Sequence, residues 1–485
     1  MASGPSPKGI YKRLFPETQT PILAVDEPKL EKLGAAMTDE NGESHDSSNL
    51  FAGYTYFGQF IDHNLTWNRS VLDAPQDEQV SGPNFRTASL DLDHVYGGGP
   101  EIAEALYEGE QGAERFRIGA TLPSTRFNLP GGTLRDLPSV NEGVQVGDQA
   151  DFRNTENAFV RQLHVSLLKF HNIAVQQLEQ NQVNGDLPEG SSVFERARRL
   201  VIWSYQWLVW NDFLANIIDP LTWRPPQRRA LGSQASAFQL PLEFALAAFR
   251  FGHSMVRSVY PMNCHRPAEP LLNVINPRKE SAEPLREDDL VEWGRFFPGL
   301  PNSSRAVTHA RSIDVHIATV LHQLPIETFQ LFTAAKRDSE IVDLPTRTLL
   351  RGARARLASG QEVAAAMGMN GLTRQDFESD ETKAGQALKD ADLTHNTPLW
   401  YYILKEAQLR GHGDHLGPIG SQIVRDTIEG TLQNDNESYL VEQGPDWKPP
   451  EWLFPDGKRQ AIHWMSRLIL LVGDSQLPQG CQLRT

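Results

Sequence analysis

The run LEFALAAFRFGHSMV, residues 242–256, places the tightest demand on the fold. As a helix it is apolar on nearly every face, so other elements must enclose it. Arg250 and His253 lie one turn apart inside that run. Burying them costs free energy unless each has a partner or a chemical task.

Enough chain exists to build the enclosure. Apolar residues recur at helical spacing over 157–180 and 195–218, and TPLWYYILKEAQLRG (397–411) has a Thr-Pro start and a Gly411 stop. No segment alternates in the manner of a half-buried strand. Residues 267–289, rich in Pro and charge, read as a long connection. The expected fold is mainly α with long loops and little strand. Residues 1–45 read as an N-terminal arm, and 46–485 as one catalytic domain.

With 485 residues and a formal net charge of −15, the chain disfavours nucleic-acid and anionic-membrane partners. The apolar stretch LILLV is far too short to span a bilayer. The N-terminal segment lacks the apolar core of a signal peptide, so a cytoplasmic location or leaderless export is expected.

Two further segments repeat the motif of polar groups in apolar surroundings. FGQFIDHNLTW sets Gln59, Asp62 and His63 at i, i+3 and i+4, one face of a helix. DFRNTENAFV does the same with Arg153, Glu156 and Asn157 at the start of an apolar helix. Glu156 suits the positive end of a helix dipole, whereas Arg153 does not, which leaves Arg153 to be explained. His253 is the third piece. A neutral imidazole is a common metal ligand, but zinc would need further ligands that no HExxH-like spacing supplies. Haem iron needs only one proximal protein ligand.

Together with TASLDLDHVYG (87–97) and NTPLWYYILKEA (396–407), these segments resemble the animal-type haem peroxidases of the peroxidase–cyclooxygenase superfamily, including myeloperoxidase, lactoperoxidase and their bacterial relatives. The resemblance runs over roughly residues 46 to 440 and implies that family's helical fold with one haem b. It implies that His63 is the distal base, Gln59 its neighbour, Arg153 the distal arginine and His253 the proximal iron ligand. An imidazole near neutral pH suits proton transfer between the two peroxide oxygens, and a buried guanidinium suits the charge that develops as they part. The implied activity is reduction of hydrogen peroxide, through a ferryl haem, with oxidation of small donors: phenols, aromatic amines, iodide, thiocyanate or bromide.

The resemblance implies finer roles too. Asp62 and Glu156 match carboxylates that form ester links to haem methyl groups in mammalian members. Asn157 stands where myeloperoxidase has the methionine of its third link, which excludes that bond and disfavours chloride oxidation. Asn64, Thr87, Ser89, Asp91 and Asp93 match the family's calcium site, with Asn64 in place of an Asp and Asp93 as an added carboxylate; calcium takes 6–8 oxygen ligands. Arg250 and Arg351 are expected at haem propionates. Aligned on Asp343, Leu344, Pro345 and Arg351, Thr348 occupies the position of the Asn that accepts the proximal imidazole N–H.

Two other functions compete. A fatty-acid dioxygenase of the cyclooxygenase type needs a Tyr three residues before the proximal His, where this chain has Arg250. A non-catalytic adhesion or haem-binding protein need not keep Gln59, His63, Arg153 and His253 together.

Overall fold

The computed structural model describes residues 9–16, 26–39, 42, 44–68, 83–129, 131–139, 151–183, 190–228, 238–275, 283–300, 306–325 and 342–475. Much of the expected arm (1–8 and 17–25) and part of the expected connection (276–282) lie outside them. Helices dominate, and the described strands are two to six residues long.

The principal helices in chain order are α1 (Glu27–Ala36), α2 (Ala52–Leu65), α3 (Ala158–Glu179), α4 (Val193–Leu208), α5 (Leu242–Leu246), α6 (Leu344–Arg354), α7 (Leu399–Arg410) and α8 (Pro418–Asn434). Their starts follow from local chemistry. The Asn157 side chain caps α3 by accepting from Val160 N at 2.9 Å. Ser192 and Glu195 form a reciprocal capping box at α4, and Asp343 accepts from Thr346 N at α6.

Helix α3 packs against α4 and α2, while α1 packs against α6 and α7 against α8. The contact of α1 with α6 depends on Gly34, where a Cβ would come within 2.3 Å of Thr346 Oγ1. Phe159, Phe170, Leu163 and Val175 of α3 are all buried, each contributing roughly 1.5–3 kcal/mol relative to exposure.

The two ends of the sequence-expected helix at 195–218 are present, but its middle differs. Residues Val209–Leu214 form a π-helical turn between α4 and a last short turn. Asp212 sits there, accepting from Tyr54 Oη at 2.6 Å and from Met465 N at 2.7 Å. Asn216 also donates to the Asp212 carbonyl at 2.7 Å. These bonds draw the turn toward α2 and out of the regular ladder.

The run 242–256 is mostly buried as expected, with Arg250, Gly252, His253 and Val256 half-buried, yet it is not one helix. Helix α5 stops at Ala247 (φ −135°, ψ −70°), and Ala248–His253 continues as a 3₁₀ helix. Arg250 Nε donates to the Ala245 carbonyl at 2.9 Å, and Trp400 Nε1 donates to the Arg250 carbonyl at 3.1 Å. Side chains thus take carbonyls that an unbroken α-helix would use. In a 3₁₀ helix residues i and i+3 eclipse, so Arg250 and His253 point the same way.

The N-terminal residues Gly9–Lys12 form a strand between Pro83–Asn84 and Leu240–Pro241. That placement brings Tyr11 to the central cavity.

Candidate active site

A cavity of about 320 Å³ lies among α2, the turn before α3, the 3₁₀ segment and α6. His63, Gln59 and Asp62 line it from α2, Arg153, Glu156 and Asn157 from the turn, Arg250 and His253 from the 3₁₀ segment, and Thr348 and Arg351 from α6. Ten side chains separated by up to 292 positions thus share one space. Arg347, one turn before Arg351, and Tyr11 also line it; the sequence reading missed both.

His63 is almost fully buried, and its Nδ1 stands 3.1 Å from Asn154 Oδ1. Its Nε2 lies 3.7 Å from Glu156 Oε1. Burial, and then the charge of Arg153, lower the imidazole pKa to about 4, so the ring is neutral at pH 7. Burial raises the Glu156 carboxyl to about 8, against the pull of Arg153. Its Oε2 is buried with no hydrogen-bond partner among the described residues. Such an orphaned oxygen costs free energy until something in the cavity engages it.

The turn explains Arg153. Residues Phe152–Thr155 are a 3₁₀ turn, and α3 proper starts at Ala158, so Arg153 is not at the positive end of α3. Its guanidinium reaches the C-terminus of α2, donating to the carbonyls of His63 (2.8 Å) and Thr66 (2.7 Å), where a cation is favoured. Nε and Nη2 also donate to Asp151. Of the five N–H groups of arginine, these contacts leave one, on Nη1. Burial alone would raise the Asp151 carboxyl, but the guanidiniums of Arg153 and Arg86 hold it far below the usual range. Both guanidiniums also lie over the Trp67 ring, 5.0 Å and 4.9 Å from its centroid.

Asn157 has two tasks. While its oxygen caps α3, its Nδ2 donates to Gln59 Oε1 at 3.1 Å, which turns the Gln59 amide nitrogen away from Asn157. The second task has no signal in local sequence patterns, because the two residues are 98 positions apart.

On the His253 side, burial and then Arg250 lower the imidazole pKa to about 3. Nδ1 lies 3.5 Å from Thr348 Oγ1. Arg250 Nη1 is 3.4 Å from Asp62 Oδ2, an ion pair joining the 3₁₀ segment to α2. Asp62 Oδ1 accepts from Thr66 Oγ1 at 2.9 Å.

Below α2, Asn64 and the loop 87–93 form one cluster. Asp91 accepts from Asn64 Nδ2 (3.2 Å), Thr87 Oγ1 (2.8 Å) and Asp93 N (3.0 Å). Arg86 Nη1 lies 3.3 Å from Asp93 Oδ2. Burial, and then the Asp93 charge, push the Asp91 carboxyl up to about 6. Ser89 is half-buried in the same loop. Among the described residues no group of three or more His, Cys, Asp or Glu is gathered to hold a metal. A cation here would therefore depend on hydroxyl, amide and main-chain oxygens beside two carboxylates.

A family model for animal haem peroxidases matches residues 68–352. The chain belongs to the animal haem peroxidase family. Among curated relatives, a peroxidase-like protein from Margaritifera margaritifera is 31% identical over 131 residues, which is 26% of this chain and 16% of that protein. Heme peroxidase 2 of Caenorhabditis elegans is 28% identical over 180 residues, 36% of this chain and 24% of that one. These matches thus span a quarter or less of each relative. Among solved structures, peroxidase A from Dictyostelium discoideum superposes with a TM-score of 0.62 over 90% of both chains at 17% identity. Fatty acid alpha-dioxygenase from Oryza sativa gives 0.57 over 88% of this chain and 77% of that one at 14% identity. At such identities the likeness shows the fold, the mainly helical one expected of the animal haem peroxidase family. Among the described residues no helix is long and apolar enough to cross a membrane.

Proposed function

We propose that this animal haem peroxidase reduces hydrogen peroxide and oxidises small donors, namely phenols, aromatic amines or easily oxidised anions such as iodide, thiocyanate and bromide. The observation that carries the reading is the shared cavity: a neutral, buried His63 with Nε2 directed toward it, and a neutral, half-buried His253 on a separate element.

The residues suit a haem. His253 would hold the iron through Nε2, since Nδ1 faces Thr348. Arg250, Arg347 and Arg351 suit its propionates, and the orphaned Glu156 oxygen and Asp62 suit its edge. Bound haem supplies the redox chemistry that takes two oxidising equivalents from peroxide. His63 Nε2 accepts the proton of one peroxide oxygen and returns it to the other, so that water leaves. Arg153 stabilises negative charge in the cavity through its own charge and its remaining Nη1 hydrogen. Gln59, held by Asn157, presents an N–H donor. Glu156, neutral below about pH 8, adds no negative charge that would oppose peroxide deprotonation.

Two finer assignments belong to the same reading. Asp62 and Glu156 form ester links to haem, and Asn64, Thr87, Ser89, Asp91 and Asp93 hold calcium. The raised Asp91 carboxyl beside Asp93 supports the latter, since a cation relieves the repulsion of two close carboxylates. The fold is shared with dioxygenases, but Arg250, three residues before His253, is tied to Asp62 and offers no phenol for a radical. Haem content of the purified protein, with peroxide-dependent oxidation of a phenol and of iodide, tests the proposal. Haem-loaded protein that oxidises neither would point to a non-catalytic role.

A further inference from the structure

The polar group behind His63 is Asn154, a residue of the DFRNTENAFV segment to which the sequence assigns no role. Asn154 is fully buried in the turn between Arg153 and Glu156. Its Oδ1 lies 3.1 Å from His63 Nδ1. Its Nδ2 lies 3.0 Å from the His94 carbonyl and 3.3 Å from His164 Nδ1.

These three distances fix the direction of every bond. A main-chain carbonyl only accepts, so the group of Asn154 facing His94 must be the NH₂. Flipping the amide would set its oxygen against the His94 oxygen and leave two acceptors in contact. His164 is held neutral, its pKa lowered to about 3 by burial, so its Nδ1 accepts the second amide hydrogen. The Asn154 oxygen is then left for His63, and an oxygen without hydrogen can only accept. The His63 nitrogen that faces this oxygen, Nδ1, must therefore carry a hydrogen and donate it.

We propose that Asn154 is the positioning residue that holds His63 in the Nδ1–H tautomer, leaving the Nε2 lone pair toward the cavity. The proposal rests on the peroxidase reading for its consequence: the opposite tautomer would present a hydrogen to the peroxide and could not take its proton. A base held in the wrong tautomer costs up to about 10⁴-fold in hydrolytic triads, which sets the possible scale here. Asn154 also ties the His63 ring to the main chain of the 87–97 segment through His94.

The test uses the haem-loaded protein mixed with hydrogen peroxide, following the rate of the haem absorbance change. Asn154→Leu keeps the branched shape and removes the acceptor; it should slow the change about tenfold or more at unchanged haem content. Asn154→Asp keeps an acceptor for His63 Nδ1 while giving up the two amide donations, and should react faster than the Leu variant, since the base retains its tautomer. Equal slowing in both variants would assign Asn154 to packing alone, and no slowing in either would remove the role. Should the Leu variant fail to take up haem, neutron diffraction from crystals of the unaltered protein decides. Deuterium on His63 Nδ1 and none on Nε2 supports the assignment, and deuterium on Nε2 overturns it. A parent protein that does not respond to peroxide sinks the peroxidase reading instead, and the neutron result still judges the tautomer.

Discussion

Thr348 Oγ1 stands between His253 and the main chain, 3.5 Å from the imidazole Nδ1 and 2.9 Å from the Leu344 carbonyl. The hydroxyl hydrogen goes to the carbonyl, so a lone pair faces the ring and accepts from it at long range. A weak acceptor gives the imidazole little anionic character, and the ferric state of a bound iron gains less from it. Thr348→Asn, with a longer arm and a stronger acceptor, should lower the ferric/ferrous potential. Thr348→Val should raise it. Spectroelectrochemical titration reads both; an unchanged potential in both variants would mean that Thr348 does not govern the ring.

Covalent attachment is the second expectation. If Asp62 and Glu156 form esters, acid–organic extraction after peroxide turnover should leave haem on the polypeptide. Asp62→Asn and Glu156→Gln should each remove one link, visible by mass spectrometry of haem peptides. Full recovery of free haem from peroxide-treated parent protein would assign both carboxyls to hydrogen bonding only.

Calcium should tie the 87–93 loop to the end of α2. Chelation is then expected to lower Tm and to perturb the haem spectrum, because Asn64 directly follows His63 in α2. Elemental analysis showing no calcium in protein prepared without chelator would leave the Arg86–Asp93 ion pair and the Asn64–Asp91 bond as the loop's restraints.

Glu406 supplies a pH test of the fold away from the cavity. Burial raises its carboxyl to about 7, even though Oε2 accepts from Ile419 N and Gly420 N. The folded state therefore binds a proton that the unfolded chain has released, across the window from about 4.5 to about 7. Stability from this group is present below that window and declines as pH rises through it. Glu406→Gln abolishes the decline, so its Tm relative to the parent should rise between pH 4.5 and 7. The change has an upper bound of about 3.5 kcal/mol at roughly 1.4 kcal/mol per unit. A constant Tm difference across the window would show that Glu406 is ionised throughout.

The sequence exposed much of this architecture for a physical reason. A run apolar in nearly every position, as at 242–256, announces a buried position, and polar groups at i, i+3 and i+4 announce a shared face. What stayed hidden depends on contacts between distant residues. The break at Ala247 arises from the bonds of Arg250 and Trp400, and Asn154 meets His63 across 91 positions. Arg153 looked misplaced because its favourable partner, the C-terminus of α2, is 90 residues earlier. Tyr11 reaches the cavity only through strand pairing of an arm that carries no helical or strand pattern of note.

The central claim is that His63 moves the proton of a peroxide bound in the cavity facing His253. Stopped-flow absorbance of the haem-loaded protein and of His63→Ala, each mixed with hydrogen peroxide, tests it most directly. The parent should show a rapid shift of the haem band that a phenolic donor reverses, and His63→Ala should retain haem yet react roughly 10²–10⁴-fold more slowly. Equal rates for the two proteins would contradict the account.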